Sequence, residues 1–600
     1  MLTKLSLAGI KNRFKDYLVL LTGLIISAAV FYMFANLATN REFVKSNTQI
    51  SMASQVFIFG MILLILITIV YIAYANSFLL SMRQHDYGLF MMLGAKKNRI
   101  GELVFIETLL IGVISTIVGI VLGIGMSMGL SQILFNQLGL TVHHFNALYW
   151  PAIVTTICLY VGLFLLSGIF NLAKLVRTPV LKLLHIDDEV YLPKRRPLVQ
   201  LTEIVAGILL LAIGYIAMAK IMTLQLLAVP LALVTITLGS YLLFSAVIVG
   251  AVELLKQTNF ANKKLHNFTL AQIMFRVRSY TRILTIVSLL FALALGAISV
   301  GAGFQRQAPQ MAKSTSAYTM AINDMNKQEH NLVSQLNDTH TLTYSQKIVG
   351  NTVYYNEQEF VDHPLPMLDS RQALNDGSLK TLPIAQFKKV ALNDMDFTGL
   401  VPKNGQQKSE FATQSDFENL NTATTHTVTI IRLNNVLAQR KILDRLDKLQ
   451  QQRFPAPTMA TVGGFQTYKM FNALFSGLEF MGFFLGFAFL AMLASCLMFK
   501  ILSGANKDVV RYNMLNRIGT RRALMKQAVR GEILTLFALP GILGIVDVLF
   551  GLQMFKPLMY HPYAMPGWSI LIFCILYGVY YGITTLIYER LVIPKEQMNA

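Results

Sequence analysis

Charge is the first thing this 600-residue chain is short of. Lys, Arg, Asp and Glu make up 14% of it, against roughly a quarter in ordinary soluble domains. That excludes a wholly soluble protein and leaves room for one sizeable water-exposed module. Cysteine is nearly absent. The three, Cys158, Cys496 and Cys574, all lie in apolar runs, with no CxxC and no Cys/His spacing suited to a metal. Segment 305–472 has none, so no disulfide holds it. The adjacent pair His143 and His144 is a poor metal geometry by itself and reads as a solvated loop. HExxH and G-x-S-x-G are missing. So is GxxxxGK[ST]: the run GAKKNR (94–99) lacks the upstream Gly and the Ser/Thr of a phosphate loop. No catalytic residue, metal site or cofactor is assigned to this chain. If ATP is used, another chain binds it.

What is present is apolar and long. We read ten spans of about the length that crosses a bilayer: 18–38, 55–80, 104–131, 150–172, 199–220, 226–252, 283–304, 473–500, 530–553 and 566–588. The first run is too long for a signal-peptide core and reads as a transmembrane helix. With the N-terminus inside, the short outer loops hold only Arg41, Lys45, Lys220 and Lys556, while basic residues crowd the inner loops. This asymmetry sets both termini in the cytoplasm and 305–472 outside, in a plasma membrane. The net charge of +20 is concentrated the same way: 305–472 carries 17 Lys+Arg against 15 Asp+Glu. Positive-inside loops, not nucleic acid, account for it.

Segment 305–472 reads as an extracellular α+β domain. TVYY (352–355) and THTVTIIRL (425–433) are strand-like. NNVLAQRKILDRLDKLQQQ (434–452) places Leu437, Ile442, Leu446 and Leu449 at helical spacing. HPLP, NDGS and PKNG mark turns. Residues 183–197 form a polar cytoplasmic connector.

Two repeats order the rest. YGLFMMLGAKKNRIGELVFIE (87–107) returns 425 residues later as YNMLNRIGTRRALMKQAVRGE (512–532). Each has a Tyr, a Gly at a turn that favours a left-handed backbone, basic residues, and a closing Glu. LAGIKNRFKDY (7–17) returns as LAQIMFRVRSY (270–280). These basic stretches, with Arg13, Lys15, Arg276 and Arg278, are expected to lie at the inner lipid interface with their cations toward headgroups. The chain therefore reads as a duplicated four-helix unit, spans 1–4 and 7–10. Two linking spans join the copies, and the outer domain is inserted in the second. The divisions are 1–172 (first unit), 173–266 (connector and spans five and six), 267–304 (interfacial helix and span seven), 305–472 (outer domain) and 473–600 (spans eight to ten). Of the intramembrane polar groups, Glu479 and Asp547 lie within apolar runs, where such residues face protein or water. Glu107 and Glu532 sit near the inner ends of equivalent helices, where interfacial snorkelling or a structural partner accounts for them. Gly482 and Gly486 allow close helix approach.

The stretch RQHDYGLFMMLGAKKNRIGELVFIETLLIG resembles the FtsX-like permease pattern through Asp86, Gly88, Leu93, Gly94, Ala95, Arg99, Ile100 and Glu107. The second copy departs from it, with Asn513 for the first Gly and Ile518-Gly519-Thr520 for Leu-Gly-Ala. Ten spans, two such units and one outer domain resemble the Bce-type (bacitracin/lantibiotic resistance) ABC permeases. The resemblance implies an ATPase partner, two copies, binding ATP and Mg and docking through Asp86, Gly88, Leu93, Gly94, Ala95, Lys96, Lys97, Arg99, Tyr512, Gly519, Arg521 and Arg522. It also implies a membrane histidine kinase. The absence of cysteine from 305–472 and of a cleaved signal fits the cell envelope of a Gram-positive bacterium. The function implied is mechanical release of antimicrobial peptide from cell-wall lipid intermediates. A same-fold alternative extracts lipid or lipoprotein, or regulates a cell-wall hydrolase. An ion-coupled transporter and a membrane sensor are alternatives of other classes.

Overall fold

The computed structural model describes residues 14–40, 48–138, 146–180, 197–259, 265–369, 378–398, 400, 408–420, 424–454, 463–559, 562–563 and 566–594. Arg13, the His143–His144 pair and most of the 183–197 connector lie outside them.

Among the described residues, ten helices are long and apolar enough to cross a membrane. They are α1 (Phe14–Thr39), α2 (Thr48–Met92), α3 (Lys97–Leu138), α4 (Trp150–Arg177), α5 (Pro197–Ala219), α6 (Ala228–Lys256), α7 (His266–Thr315), α9 (Gly464–Ser503), α11 (Arg522–Gly551) and α12 (Pro566–Val592). Two more helices are used below: α8 (Arg440–Arg453) and α10 (Ala505–Arg517). The protein is a multi-pass membrane protein.

Two helices are longer than the sequence reading allowed. The expected interfacial helix and span seven are one continuous helix, α7, of 50 residues. At 1.5 Å per residue it is about 75 Å long, against a hydrocarbon core of about 30 Å. No Gly or Pro stands between 267 and 295 to break it. Likewise the stretch leading to Gly94 is no separate element but the end of α2, 45 residues long. The second copy does break: α9 stops at Ser503 and α10 starts at Ala505. Gly504 lies at the break, where the first copy has Leu79, and glycine is a poor helix former.

The chain divides into a helical unit and a second unit of Phe304–Ser476 with the opening residues of α2. In the helical unit, small residues set the spacing. A Cβ on Gly486 would meet the Ala294 carbonyl of α7 at 2.7 Å, and one on Gly301 would meet the Leu478 carbonyl of α9 at 2.8 Å. The two copies are joined where Ser495 of α9 donates to the Val19 carbonyl of α1 (2.6 Å) and hydrogen-bonds the Tyr71 hydroxyl of α2 (2.8 Å).

The second unit carries a five-stranded sheet, order β1-β7-β2-β3-β6. The strands are β1 (Met320–Asn323), β2 (Thr339–Val349), β3 (Thr352–Asn356), β6 (Lys408–Ala412) and β7 (Thr425–Leu433); a small pair, β4 (Met367–Leu368) and β5 (Leu379–Lys380), lies apart. Among the described residues, β3 and β6 are the one parallel pair. Tyr344, Tyr355, Phe360, Phe387 and Phe397 form its buried core with Phe411 against them. Burial raises the Tyr344 and Tyr355 phenols well above their ordinary range. Helix α8 buries Leu443, Leu446, Asp447 and Gln450. Leu437, expected in that helix, precedes it and is 50% exposed, because 434–439 is a turn after β7.

Candidate partner-docking site

The repeated glycines build two near-identical tips. At the first, the Leu93 amide bonds the Leu89 carbonyl (3.0 Å), Gly94 bonds Met91 (3.1 Å) and Ala95 bonds Phe90 (3.0 Å). At the second, Ile518 bonds Met514 (3.1 Å), Gly519 bonds Asn516 (3.0 Å) and Thr520 bonds Leu515 (3.1 Å). The pattern, a C′ amide to C2 and a C″ amide to C3, is the Schellman stop, which needs a left-handed residue. Gly94 has φ +96° and Gly519 φ +87°.

The residue before each glycine is apolar and solvent-facing. Leu93 is 84% exposed and Ile518 80%. Met92, Leu89, Met514 and Val510 extend these apolar surfaces. Lys96, Lys97 and Arg99 follow the first tip and Arg521 and Arg522 the second, all exposed. An apolar knob ringed by cations is a candidate docking surface.

Other residues assigned to docking lie behind the tips. Tyr512 is 1% exposed, so it cannot touch a partner. Burial, then the nearby Glu532 carboxylate, pushes its phenol well above the usual range. Gly88 is buried and Asp86 half-buried. Tyr87, Ile100, Leu103, Val104 and Leu175 form the core beneath the first tip.

Buried ion pairs back both tips. In the first copy the Arg83 guanidinium pairs with Glu107, and the Tyr87 hydroxyl donates to Glu107 at 3.2 Å. In the second, Arg276 pairs with Asp508 at 2.6 Å and with Glu532. This corrects the interfacial reading of Arg276. It is 3% exposed and turned into protein, because two carboxylates await it there. Arg278, two residues further on, pairs with Glu253 at 2.8 Å. Lys15 lies in the first turn of α1. Glu479 is half-buried in α9, and Asp547 accepts a hydrogen bond from Tyr215. Sequence reasoning missed Arg83, Asp508 and Tyr588, whose partners lie on other helices. It also passed over Val510 and Met514, although apolar residues one helical turn apart before a stop glycine are a readable signal.

Within the second unit lies a cavity of about 450 Å³, walled by Lys313, Arg432, Asn434, Leu437 and Tyr468 among others.

Comparison with known proteins fits this geometry. The family model for the FtsX-like permease C-terminal region matches residues 58–180, which contain the first tip and its Arg83–Glu107 pair. The chain is 21% identical to the bacitracin export permease protein BceB of Halalkalibacterium halodurans, over 98% of this chain and 99% of the relative. It is also 21% identical to BceB of Bacillus subtilis over the same shares, and 25% identical to the ABC transporter permease protein YxdM of Bacillus subtilis, over 80% of this chain and 82% of that one. The chain is a polytopic membrane protein that carries an FtsX-like permease domain and is similar, along nearly its whole length, to ABC permeases of the Bce type.

Proposed function

We propose that this chain is the membrane permease subunit of an ABC complex that protects the cell envelope against antimicrobial peptides such as bacitracin or lantibiotics. The observation that carries the reading is the pair of matched tips. Leu93 and Ile518 are large apolar side chains more than three-quarters exposed, each fixed by a stop glycine and flanked by bases. Two like knobs 425 residues apart suit a partner of two like chains. We assign that partner as an ATPase dimer, which binds the ATP and Mg.

With both termini inside, both tips face the cytoplasm and residues 305–472 face outward. ATP-driven movement at the tips is passed to the outer domain, which frees the peptide from a cell-wall lipid intermediate. A membrane histidine kinase that senses the peptide completes the assembly.

Mild-detergent capture of the tagged chain from its native membranes tests this. An ABC ATPase at about two copies per permease is the expected result, with a histidine kinase beside it. A chain recovered alone overturns the reading.

A further inference from the structure

Two acids stand on the helices that flank the second tip. Asp508 is on α10 and Glu532 on α11, 5% and 2% exposed. By the 425-residue spacing, Asp508 occupies the place of Arg83, and Glu532 that of Glu107. The first tip's own helices therefore supply one cation and one anion. The second tip's helices supply two buried anions at those positions, which repel each other in a medium of low dielectric.

Arg511 of α10, 40% exposed at its side chain, reaches Asp508 Oδ1 at 3.2 Å, but the buried cation that bridges both acids comes from α7. Arg276 Nη2 is 2.6 Å from Asp508 Oδ2 and donates to the Tyr588 hydroxyl of α12 at 2.5 Å, while Nε faces Glu532 Oε1. Its guanidinium lies over the Tyr588 ring, 5.4 Å from the centroid. The same stretch of α7 touches α10 elsewhere. Arg511 of α10 donates to Gln272 at 3.0 Å, and Phe268 meets Tyr512 edge-on at 5.8 Å. Helix α7 then continues without a break to Thr315, and its residues from Phe304 onward belong to the second unit.

We propose that Arg276 is a positioning residue that ties the second docking tip to α7, so that partner-driven movement of α10 and α11 is carried along α7 toward the sheet-bearing unit. Separating α7 from the tip would leave Asp508 and Glu532 buried without their shared cation, so the three helices move together. This rests on the docking reading above.

The test uses the full chain with its ATPase in lipid nanodiscs. The readouts are co-purification, ATP hydrolysis, and protease protection of residues 304–476 with and without Mg-ATP. The variant D508R/R276Q moves the cation from α7 to α10, copying the Arg83–Glu107 arrangement. Assembly and hydrolysis are expected within about twofold of wild type, with the ATP-dependent change in protection reduced at least tenfold. An unchanged ATP-dependent protection overturns the proposal, and so does loss of assembly or hydrolysis, which makes Arg276 part of the tip itself. Should the double variant fail to fold, R276K decides. It keeps the charge but loses the fork that reaches both carboxylates, so partial loss of the protection change supports the tie and wild-type behaviour overturns it. Failure of the wild-type chain to bind an ATPase shows separately, before any variant is made, and removes the docking reading and this proposal together.

Discussion

Tyr215 donates a 2.7 Å hydrogen bond to Oδ1 of Asp547, joining the linking helix α5 to α11. Its ring lies flat on Phe550, centroids 4.1 Å apart. Asp547 is 4% exposed. Tyr215→Phe keeps the stack and deletes the donor, leaving a buried carboxyl without that partner, at a cost of about 1–3 kcal/mol. Replacing both groups, Tyr215→Phe with Asp547→Leu, should recover most of the loss. Thermal unfolding of the two proteins in one detergent checks the order. A double variant less stable than the single would mean the carboxyl has a second structural role.

The two stop glycines should respond to substitution through backbone alone. No atom lies within 4 Å of where a Cβ would sit on Gly94 or Gly519. Alanine there costs about 1–2 kcal/mol for the left-handed conformation, and asparagine less. Fraying of the stop would displace Leu93 or Ile518. Partner affinity should therefore fall in the order Gly, Asn, Ala at either site, measured by titrating ATPase onto the purified permease. Equal affinity for all three would show that the turn does not shape the docking surface.

Leu93→Asp and Ile518→Asp change side chains that are almost wholly outside the fold. Stability should stay within about 0.5 kcal/mol of wild type, as for surface substitutions generally. Partner binding should weaken at least tenfold in each single variant and be lost in the double. If one single variant binds normally, only the other tip docks.

Much of this was legible in the sequence, for physical reasons. A run of about 20 apolar residues has few alternatives to a spanning helix, so the ten spans could be read directly. Gly94 and Gly519 could be read as turns because basic residues follow them and helical runs precede them. Strand β7 matches THTVTIIRL, residue for residue. The fate of Arg276 was not legible. Arg276 and Arg278 lie on different faces of α7, and nothing local says which face meets protein. The partners of Arg276 lie 232 and 312 residues further on, at Asp508 and Tyr588. Leu437 was misplaced because its spacing to later leucines is helical, while a turn, Ala438 amide to the Asn435 side chain at 3.3 Å, holds it outside α8.

The seam between α7 and α9 makes the sharpest steric prediction. A Cβ on Gly482 would collide with the backbone carbonyl of Ala297, which cannot rotate aside as a side chain can. Gly482→Val should therefore push the helices apart and cost about 3 kcal/mol or more, at the upper end of overpacking effects. Gly578→Val, where a Cβ meets nothing within 4 Å, is the control. Yield of monodisperse protein and its unfolding temperature compare the two. Equal behaviour would mean the seam is looser than drawn.

The matched tips have a consequence for how change accumulates. Turning a partner made of two identical chains by half a revolution exchanges the chain at Leu93 with the chain at Ile518 and leaves the complex the same. A substitution in such a partner is felt at both tips at once. A substitution in this chain is felt at one. In the proposed assembly, all freedom to make the two ends unequal therefore resides here, where Asp508 already stands in the place of Arg83.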